Sequence, residues 1–149
     1  MNGKRFGMLA ATAGLVAGGL LGINPSAQAT STQCESSSSF SGSGSSYYVL
    51  PVHVTGSGFT YTCYMNPGVV TGNGVKALQR TLNACYAQSL TVDGVYGSKT
   101  KSALAFAQRV AGLPASAQDG IYGPQTRDAI NWVRYNTGVP TTVCLKNVH

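Results

Sequence analysis

The chain has 149 residues, enough for one domain with modest additions, and only 9% of them are charged. Ten Lys or Arg against four Asp or Glu give a formal net charge of +6. The basic residues are spread singly along the chain, which argues against a nucleic-acid interface because such interfaces concentrate positive charge on one face.

The first 29 residues have the pattern of a secretory signal peptide. A short basic start, "MNGKR", precedes an apolar run rich in Gly and Ala, and the segment ends in Ala27-Gln28-Ala29, a small-residue cleavage site. We expect cleavage before Thr30 and a secreted protein, extracellular or associated with a cell wall. A membrane anchor is the competing interpretation. Residues 30–149 keep a formal charge of +4, which suits an anionic polymer such as a bacterial wall.

All four cysteines follow the predicted cleavage site: Cys34, Cys63, Cys85 and Cys144. An even number in a small exported domain indicates two disulfides, each worth about 2–4 kcal/mol. A metal site is the alternative use of cysteine, but the chain has no C-x-x-C pair, and we expect neither metal nor cofactor. Three pairings are possible. We favour Cys34–Cys63 and Cys85–Cys144, since the first would close the N-terminal segment on itself.

Residues 30–65 form a segment of their own in composition. The stretch "ESSSSFSGSGSS" has little to bury and predicts a loop or linker. The stretches "YYVLPVHV" and "FTYTCYM" are aromatic and β-branched and are separated by "TGSG", which predicts a β-hairpin. Pro51 inside the first stretch indicates an edge strand or a break. The hairpin either covers one side of the helices or forms a second contact surface, because its four tyrosines, Tyr47, Tyr48, Tyr61 and Tyr64, are spaced so that they cannot all face a core.

From Gly72 onward the apolar residues follow a helical period. In "GVKALQRTLNACY", Val75, Leu78 and Leu82 lie on one face and predict a first helix. "SKTKSALAFAQRVAGL" predicts a second helix that stops at Gly112. "PQTRDAINWVRY" predicts a third helix, which begins at Pro124 and turns Ile130, Val133 and Trp132 inward.

One turn sequence occurs twice in similar form, as "VDGVYGSKT" and as "QDGIYGPQT". In each copy the Asp can cap backbone N–H groups, the following Gly can take a positive φ, the second Gly leads into a helix, and the Thr lies in its first turn. These positions are predicted to be structural: Asp93, Gly94, Gly97, Thr100, Asp119, Gly120, Gly123 and Thr126. The duplication therefore predicts two equivalent turn-to-helix units beside the first helix.

The combination of "VKALQRTLN", "DGVYGSKTKSAL", "AQRVAGL" and "DGIYGPQTRDAINW" resembles the peptidoglycan-binding domain that is attached to many bacterial wall hydrolases. The resemblance covers Pro67 to Tyr135. Ala107-Gln108 stands where the family has Phe-Gln, with Phe106 one place early, so the packing of the second helix is expected to differ from the family pattern. The resemblance implies a mainly α fold, a compact three-helix orthogonal bundle in residues 66–137, to which the disulfide-pinned hairpin adds. Residues 138–149 are then a C-terminal extension with Cys144.

Candidate ligand-binding residues lie on and beside the repeated turns. Tyrosine rings stack on sugars, basic side chains meet stem-peptide carboxylates, and amides hydrogen-bond peptide groups. The candidates are Tyr96, Tyr122, Lys99, Lys101, Arg127, Gln79 and Gln108. In the alternative interpretation the tyrosines belong to the core, the basic residues form a solvated face, and the glutamines complete the turns.

The chain contains few residues that are suited to catalysis. The two histidines, His53 and His149, are not in an H-E-x-x-H pattern, and the cysteines are assigned to bridges. Asp93 and Asp119 are the symmetrical carboxylate pair, and a turn cap explains each. We expect a secreted, non-catalytic, monomeric protein that binds peptidoglycan through its glycan or stem peptide. The alternative is a secreted protein-binding module that inhibits or localises a wall hydrolase.

Overall fold

The computed structural model of the protein describes residues 32–42, 44–68 and 70–146. The predicted signal peptide, residues 1–29, and His149 lie outside the described residues. The described elements are β1 (Ser36–Ser41), β2 (Ser46–Thr55), β3 (Gly58–Thr60), α1 (Asn73–Tyr86), α2 (Ser98–Val110), α3 (Pro124–Ala129), β4 (Asn131–Asn136) and β5 (Val139–Lys146). A short 3-10 helix, Ala115–Ala117, lies between α2 and α3.

The strands form one antiparallel sheet in the order β1-β2-β4-β5, and β3 pairs with the end of β2. Helix α1 contacts β1, β2, β4 and β5 of the sheet and also contacts α2. The predicted mainly α fold, a three-helix orthogonal bundle, is therefore wrong. The three helices are present, but they share their core with a five-stranded sheet.

The largest departure from the prediction lies after α3. This helix ends at Ala129, and Ile130 is already extended, with φ −78° and ψ 155°. The following residues, "NWVRYN", are aromatic and β-branched and form β4 rather than a continued helix. Thr137 and Gly138 then both have positive φ, 49° and 85°, the geometry of the two-residue turn that suits a β-hairpin. Strand β5 returns along β4.

Trp132 is buried, as predicted, but from a strand. Its indole N–H donates to the carbonyl of Arg127 at 2.9 Å, which satisfies one of the carbonyls that the end of α3 leaves open. The backbone N–H of Asn131 donates to the hydroxyl of Tyr86 at 2.7 Å and ties the start of β4 to the end of α1. Side chains from α1 and β4 thus stabilise the change from helix to strand.

The Ser-rich stretch predicted as a loop is also a strand over Ser36–Ser41. Its backbone pairs with β2 from Ser36 opposite Val52 to Ser41 opposite Tyr47. Phe40 stacks on Tyr48 with ring centroids 5.7 Å apart. Pairing with a neighbouring strand supplies the backbone hydrogen bonds that this composition does not predict.

The predicted hairpin is present as β2 and β3, although β3 already ends at Thr60. Pro51 lies where β2 pairs with β1 alone, and the paired stretches with β4 and β3 lie before and after it. Helices α1 and α2 are close to their predicted bounds, and Gly112 follows the end of α2 with φ 80°.

Both favoured disulfides are present, Cys34–Cys63 and Cys85–Cys144. The first joins the segment before β1 to the segment after β3, and the second joins the last turn of α1 to β5. The core between sheet and helices contains Leu50, Met65, Leu78, Leu82, Leu104, Ile130, Tyr96, Tyr122 and Trp132. No helix among the described residues is long and apolar enough to cross a membrane.

Candidate functional site

The first repeated turn is organised by the buried side chain of Gln79 on α1. Its Nε2 lies 2.8 Å from Asp93 Oδ1, 3.1 Å from the carbonyl of Val95 and 3.3 Å from Thr100 Oγ1. Its Oε1 accepts the N–H of Gly94 at 3.0 Å. Because the amide group donates and accepts at once, a single side chain fixes the turn against both helices.

The second turn repeats this arrangement around Gln108 on α2. Its Nε2 lies 3.3 Å from Asp119 Oδ1, 2.9 Å from the carbonyl of Ile121 and 3.0 Å from Thr126 Oγ1. Its Oε1 accepts the N–H of Gly120 at 2.9 Å. Gln79 and Gln108 are only 2% and 1% exposed, so their amides complete the two turns.

The turn aspartates and glycines occupy matching positions. Asp93 Oδ1 accepts the N–H of Val95 at 2.9 Å, and Asp119 Oδ1 accepts the N–H of Ile121 at 2.8 Å. The hydrogen bonds from Val95 and Gln79 hold the pKa of Asp93 below its usual value. Gly120 has φ 68°, and a Cβ there would lie 2.4 Å from the carbonyl oxygen of Lys101. Both the φ and the close backbone approach require glycine.

A pocket opens at each turn. The first-turn pocket, about 300 Å³, is lined by Gln79, Leu90, Thr91, Asp93, Val95, Gly97, Ser98, Lys99 and Thr100. The second-turn pocket, about 380 Å³, is lined by Tyr64, Gln108, Ala117, Asp119, Ile121, Gly123, Pro124, Gln125 and Thr126. Eight positions of each lining correspond to one another in the repeat. The duplicated sequence thus forms a duplicated pocket.

The two pockets differ in the chemistry at their rims. The first-turn pocket has the ammonium group of Lys99 and the hydroxyls of Thr91 and Ser98. The second-turn pocket has no basic residue in its lining and instead receives the ring of Tyr64, which is 38% exposed. Tyr64 comes from the segment after β3, outside the duplicated part of the chain. Lys99 was predicted as a ligand-binding residue and Tyr64 as part of a second contact surface on the hairpin, whereas Gln125 was not predicted.

The tyrosines of the repeated turns lie in the core. Tyr96 is 1% exposed and Tyr122 is fully buried, so neither ring is available to stack on a sugar in this structure. The hydroxyl of Tyr96 donates to the carbonyl of Gly120 at 2.8 Å. The ring of Tyr122 meets Trp132 edge to face, with centroids 6.1 Å apart. Burial raises the pKa of both tyrosine hydroxyls far above their usual value.

The predicted basic residues separate into two groups. Lys99 and Lys101 are exposed, and Lys99 alone lines a pocket. Arg127 is buried, with its guanidinium bound to the carboxylate of Asp128 and donating to the carbonyl of Tyr61 at 3.1 Å. The structure therefore brings Lys99, Gln79 and Gln108 to the pockets and places Lys101, Arg127, Tyr96 and Tyr122 outside them.

The remaining carboxylate, Glu35, is paired with His53 near the N-terminal sheet. Its Oε2 lies 2.9 Å from His53 Nδ1, and its Oε1 accepts the N–H of Val54 at 2.9 Å. Partial burial would raise the pKa of Glu35, but the hydrogen bonds from Val54 and His53 outweigh it and lower the pKa. Among the described residues no group of three or more His, Cys, Asp or Glu is arranged to hold a metal ion.

Comparison with known proteins connects this fold to one family. No curated protein matches the chain. A crystal structure of a peptidoglycan-binding protein from Clostridioides difficile, in complex with glutamine hydroxamate, matches with 28% sequence identity and a TM-score of 0.42. The match covers 56% of this chain and 49%, about half, of the length of that chain. Residues 71–130 match the family described as "Putative peptidoglycan binding domain". This segment, which contains both glutamine-centred turns, is therefore similar to the peptidoglycan-binding domain family.

Proposed function

We propose that the protein is a secreted, non-catalytic peptidoglycan-binding protein that holds its ligand in the first-turn and second-turn pockets. The observation that carries this proposal is the family match over residues 71–130, which spans both turns. Every lining residue of the two pockets except Tyr64 falls within that segment.

The duplication of the pocket supports a polymeric ligand. Two pockets with the same framework can take neighbouring units of one repeating chain, and occupation of the first raises the effective concentration of the ligand at the second. Weak contacts at each pocket then combine into useful affinity. Peptidoglycan, which repeats along its glycan strands, provides such a ligand.

Because different side chains lie at their rims, the two pockets suit different chemical groups of the ligand. Lys99, with the hydroxyls of Thr91 and Ser98, suits a carboxylate and the amide groups of a stem peptide, since an ammonium forms charge-assisted hydrogen bonds. Tyr64 and the amide of Gln125 suit a sugar, because an aromatic ring packs on its C–H face while the amide meets its hydroxyls. The first-turn pocket is thus proposed for the peptide and the second-turn pocket for the glycan.

The non-catalytic part of the proposal rests on how the four carboxylates of the chain are engaged. Asp93 and Asp119 accept hydrogen bonds from backbone N–H groups of their own turns. Asp128 is paired with Arg127, and Glu35 is paired with His53 and accepts a backbone N–H. Glycoside hydrolysis needs two carboxyl groups facing one another across the substrate, about 5–9.5 Å apart. A carboxylate whose Oδ1 is held by the N–H groups of its own turn is poorly suited to acid–base work.

Secretion is supported by the two disulfides and by the signal-peptide pattern of the first 29 residues. Disulfides form and persist in oxidising compartments and are rare where thiols are kept reduced. A protein exported to the cell surface would meet peptidoglycan there. Mass spectrometry of the protein recovered from culture medium should find a chain that begins at Thr30 and has no free thiol.

The pocket assignment is tested by co-sedimentation of oxidised protein with purified sacculi. Lys99→Ala should weaken binding about threefold at low salt, the size expected of one exposed charge contact. Lys146→Ala removes the same charge from β5, outside both pockets, and should leave binding unchanged. Equal effects of the two substitutions would contradict the first-turn pocket as the site. A parent protein that stays in solution would contradict peptidoglycan binding itself.

One feature favours the alternative of a protein-binding module. Strand β5 pairs within the described residues with β4 alone, and Val139, Val143 and Leu145 on it are 48–62% exposed. An exposed apolar edge strand is a common place for a partner protein to dock. Co-purification of one secreted hydrolase with the parent protein, abolished by Val143→Asp, would support this alternative over wall binding.

A further inference from the structure

A cluster of aromatic rings lies on the N-terminal sheet, outside the segment of the family match. We name Phe40, Phe59 and Tyr61 the aromatic surface. The centroids of Phe40 and Phe59 are 5.8 Å apart with rings at 90°, and those of Phe40 and Tyr61 are 6.3 Å apart with rings at 78°. Phe59 is 48% exposed and Tyr61 37%. Both rings contact Phe40, and each keeps part of its surface exposed to solvent.

Two arginines border this surface. The guanidinium carbon of Arg127 lies 4.7 Å from the ring centroid of Tyr61. That of Arg134 lies 5.3 Å from the ring centroid of Tyr48, which stacks on Phe40. Cation–π contacts of this kind hold guanidinium groups beside aromatic rings. Arg127 is buried and paired with the carboxylate of Asp128, so the positive charge at the margin of the aromatic surface comes from Arg134.

The aromatic surface and the second-turn pocket share one segment of the chain, which contributes Tyr61 to the first and Tyr64 to the second. Tyr61 and Tyr64 lie three residues apart and both contact the region of α3. The ring of Tyr64 lies against Gly123, where an added Cβ would be 2.7 Å from the Tyr64 ring, and the carbonyl of Tyr61 accepts a hydrogen bond from Arg127. Tyr64 of the second-turn pocket and Tyr61 of the aromatic surface therefore both lie beside α3.

We propose that the aromatic surface extends the second-turn pocket into one longer track for a glycan strand of peptidoglycan. The inference rests on the proposed function. It adds that the N-terminal sheet, and not the family segment alone, binds the polymer. The C–H faces of successive sugar rings would pack on Tyr61 and Phe59, while the guanidinium of Arg134 faces the carboxylates that the polymer bears. The ligand class assigned to this surface is therefore an anionic polysaccharide.

Charge favours this ligand over a second copy of the chain. A dimer formed through the aromatic surface would bring Arg134 of the two copies to the same interface, and like charges placed together oppose association. The wall polymer has the opposite sign, and residues 30–149 have a formal charge of +4. Electrostatic complementarity thus selects the polymer.

The test uses the full oxidised protein with two ligands, intact sacculi and glycan strands from which an amidase has removed the stem peptides. Phe59→Leu keeps an apolar side chain but removes the flat ring, and Tyr61→Ala removes the second ring. Each should weaken binding to the stripped glycan strands about tenfold. Leu145→Ala, at a similarly exposed apolar position on β5, should bind as the parent does. Thermal unfolding of each variant shows that the fold is retained.

The outcomes separate the inference from the function on which it rests. If Phe59→Leu and Tyr61→Ala bind stripped glycan as tightly as the parent, the glycan track is refuted while wall binding stands. If the parent binds neither ligand, the proposed function fails first. If sedimentation velocity finds a dimer that Phe59→Leu dissociates, the surface joins two copies of the chain and the inference is overturned.

Discussion

The hydroxyls of Tyr96 and Tyr122 stand at equivalent positions of the repeat but have different environments, and their removal should have different costs. The Tyr96 hydroxyl donates to the carbonyl of Gly120 at 2.8 Å. Within residues 32–42, 44–68 and 70–146, the structure gives the buried Tyr122 hydroxyl no hydrogen-bond partner. The substitutions Tyr96→Phe and Tyr122→Phe remove one oxygen each and leave both rings in place.

The expected magnitudes follow from these contacts. Tyr96→Phe loses a buried hydrogen bond and leaves a carbonyl unpaired, which costs about 1–2 kcal/mol of unfolding free energy. Tyr122→Phe removes a polar group that was buried without compensation, so its effect should lie between zero and a gain of about 1 kcal/mol. A loss of 1 kcal/mol lowers the melting temperature of a domain of this size by about 4 °C.

Urea and thermal unfolding of the oxidised proteins, followed by circular dichroism, measure this difference. The account expects Tyr96→Phe to be the less stable variant by at least about 1 kcal/mol. A Tyr122→Phe variant that loses as much stability as Tyr96→Phe would refute the reasoning, because the Tyr122 hydroxyl would then have a stabilising partner. Each variant serves as the control for the other, since both remove the same atom from the core.

Two further predictions concern the turns and their tyrosines. Gly97→Ser should raise stability by a few tenths of a kcal/mol, because a Cβ there meets no atom within 4 Å and the hydroxyl can cap α2. Gly123→Ser should instead cost about 1 kcal/mol in urea unfolding, since its Cβ would lie 2.7 Å from the ring of Tyr64; equal effects would contradict the described packing. Above about pH 10 the tyrosines of the unfolded chain lose their protons, whereas Tyr96 and Tyr122 in the folded protein keep theirs. The free energy of unfolding should therefore fall as the pH rises, by about 1.4 kcal/mol per pH unit for each of the two tyrosines. The double variant Tyr96→Phe/Tyr122→Phe should show a shallower loss, and an unchanged slope would contradict the raised pKa values.

Local signals predicted the parts of the fold that depend on neighbours in sequence. The apolar period of α1 and α2, Gly112 after α2 and the hairpin of β2 and β3 all follow from residues a few positions apart. The disulfide pairing was favoured for a weak reason, that one bridge closes the N-terminal segment, and it is present.

Long-range pairing explains what the sequence analysis missed in the sheet. Strand β1 has little strand propensity of its own and is held by β2, while β4 pairs with both β2 and β5. Strand propensity depends on such neighbours more than helix propensity does. The stretch "PQTRDAINWVRY" was interpreted as one helix from its apolar residues, and the turn at Thr137-Gly138, where both residues have positive φ, was not recognised.

The site was predicted in part for a similar reason. Gln79 and Gln108 were candidates for ligand contact or for completing the turns, and their amides are occupied by the turns even though they line the pockets. In the sequence, a tyrosine in a repeated polar turn suggests a ring on which a sugar can stack. The tertiary packing, which the sequence does not reveal, places Tyr96 and Tyr122 inside the core. Tyr64 lies far from the second turn in sequence, and no local pattern connects it to that pocket.

The measurement that tests the central claim most directly is co-sedimentation of the oxidised parent protein with purified sacculi over a range of salt concentrations. The account predicts saturable pelleting that persists at about 0.15 M salt, where the attraction between exposed charges is largely screened beyond about 8 Å. It also predicts release of the protein when soluble fragments of the same sacculi are added. A protein that stays in the supernatant at every salt concentration would contradict the claim that this chain binds peptidoglycan.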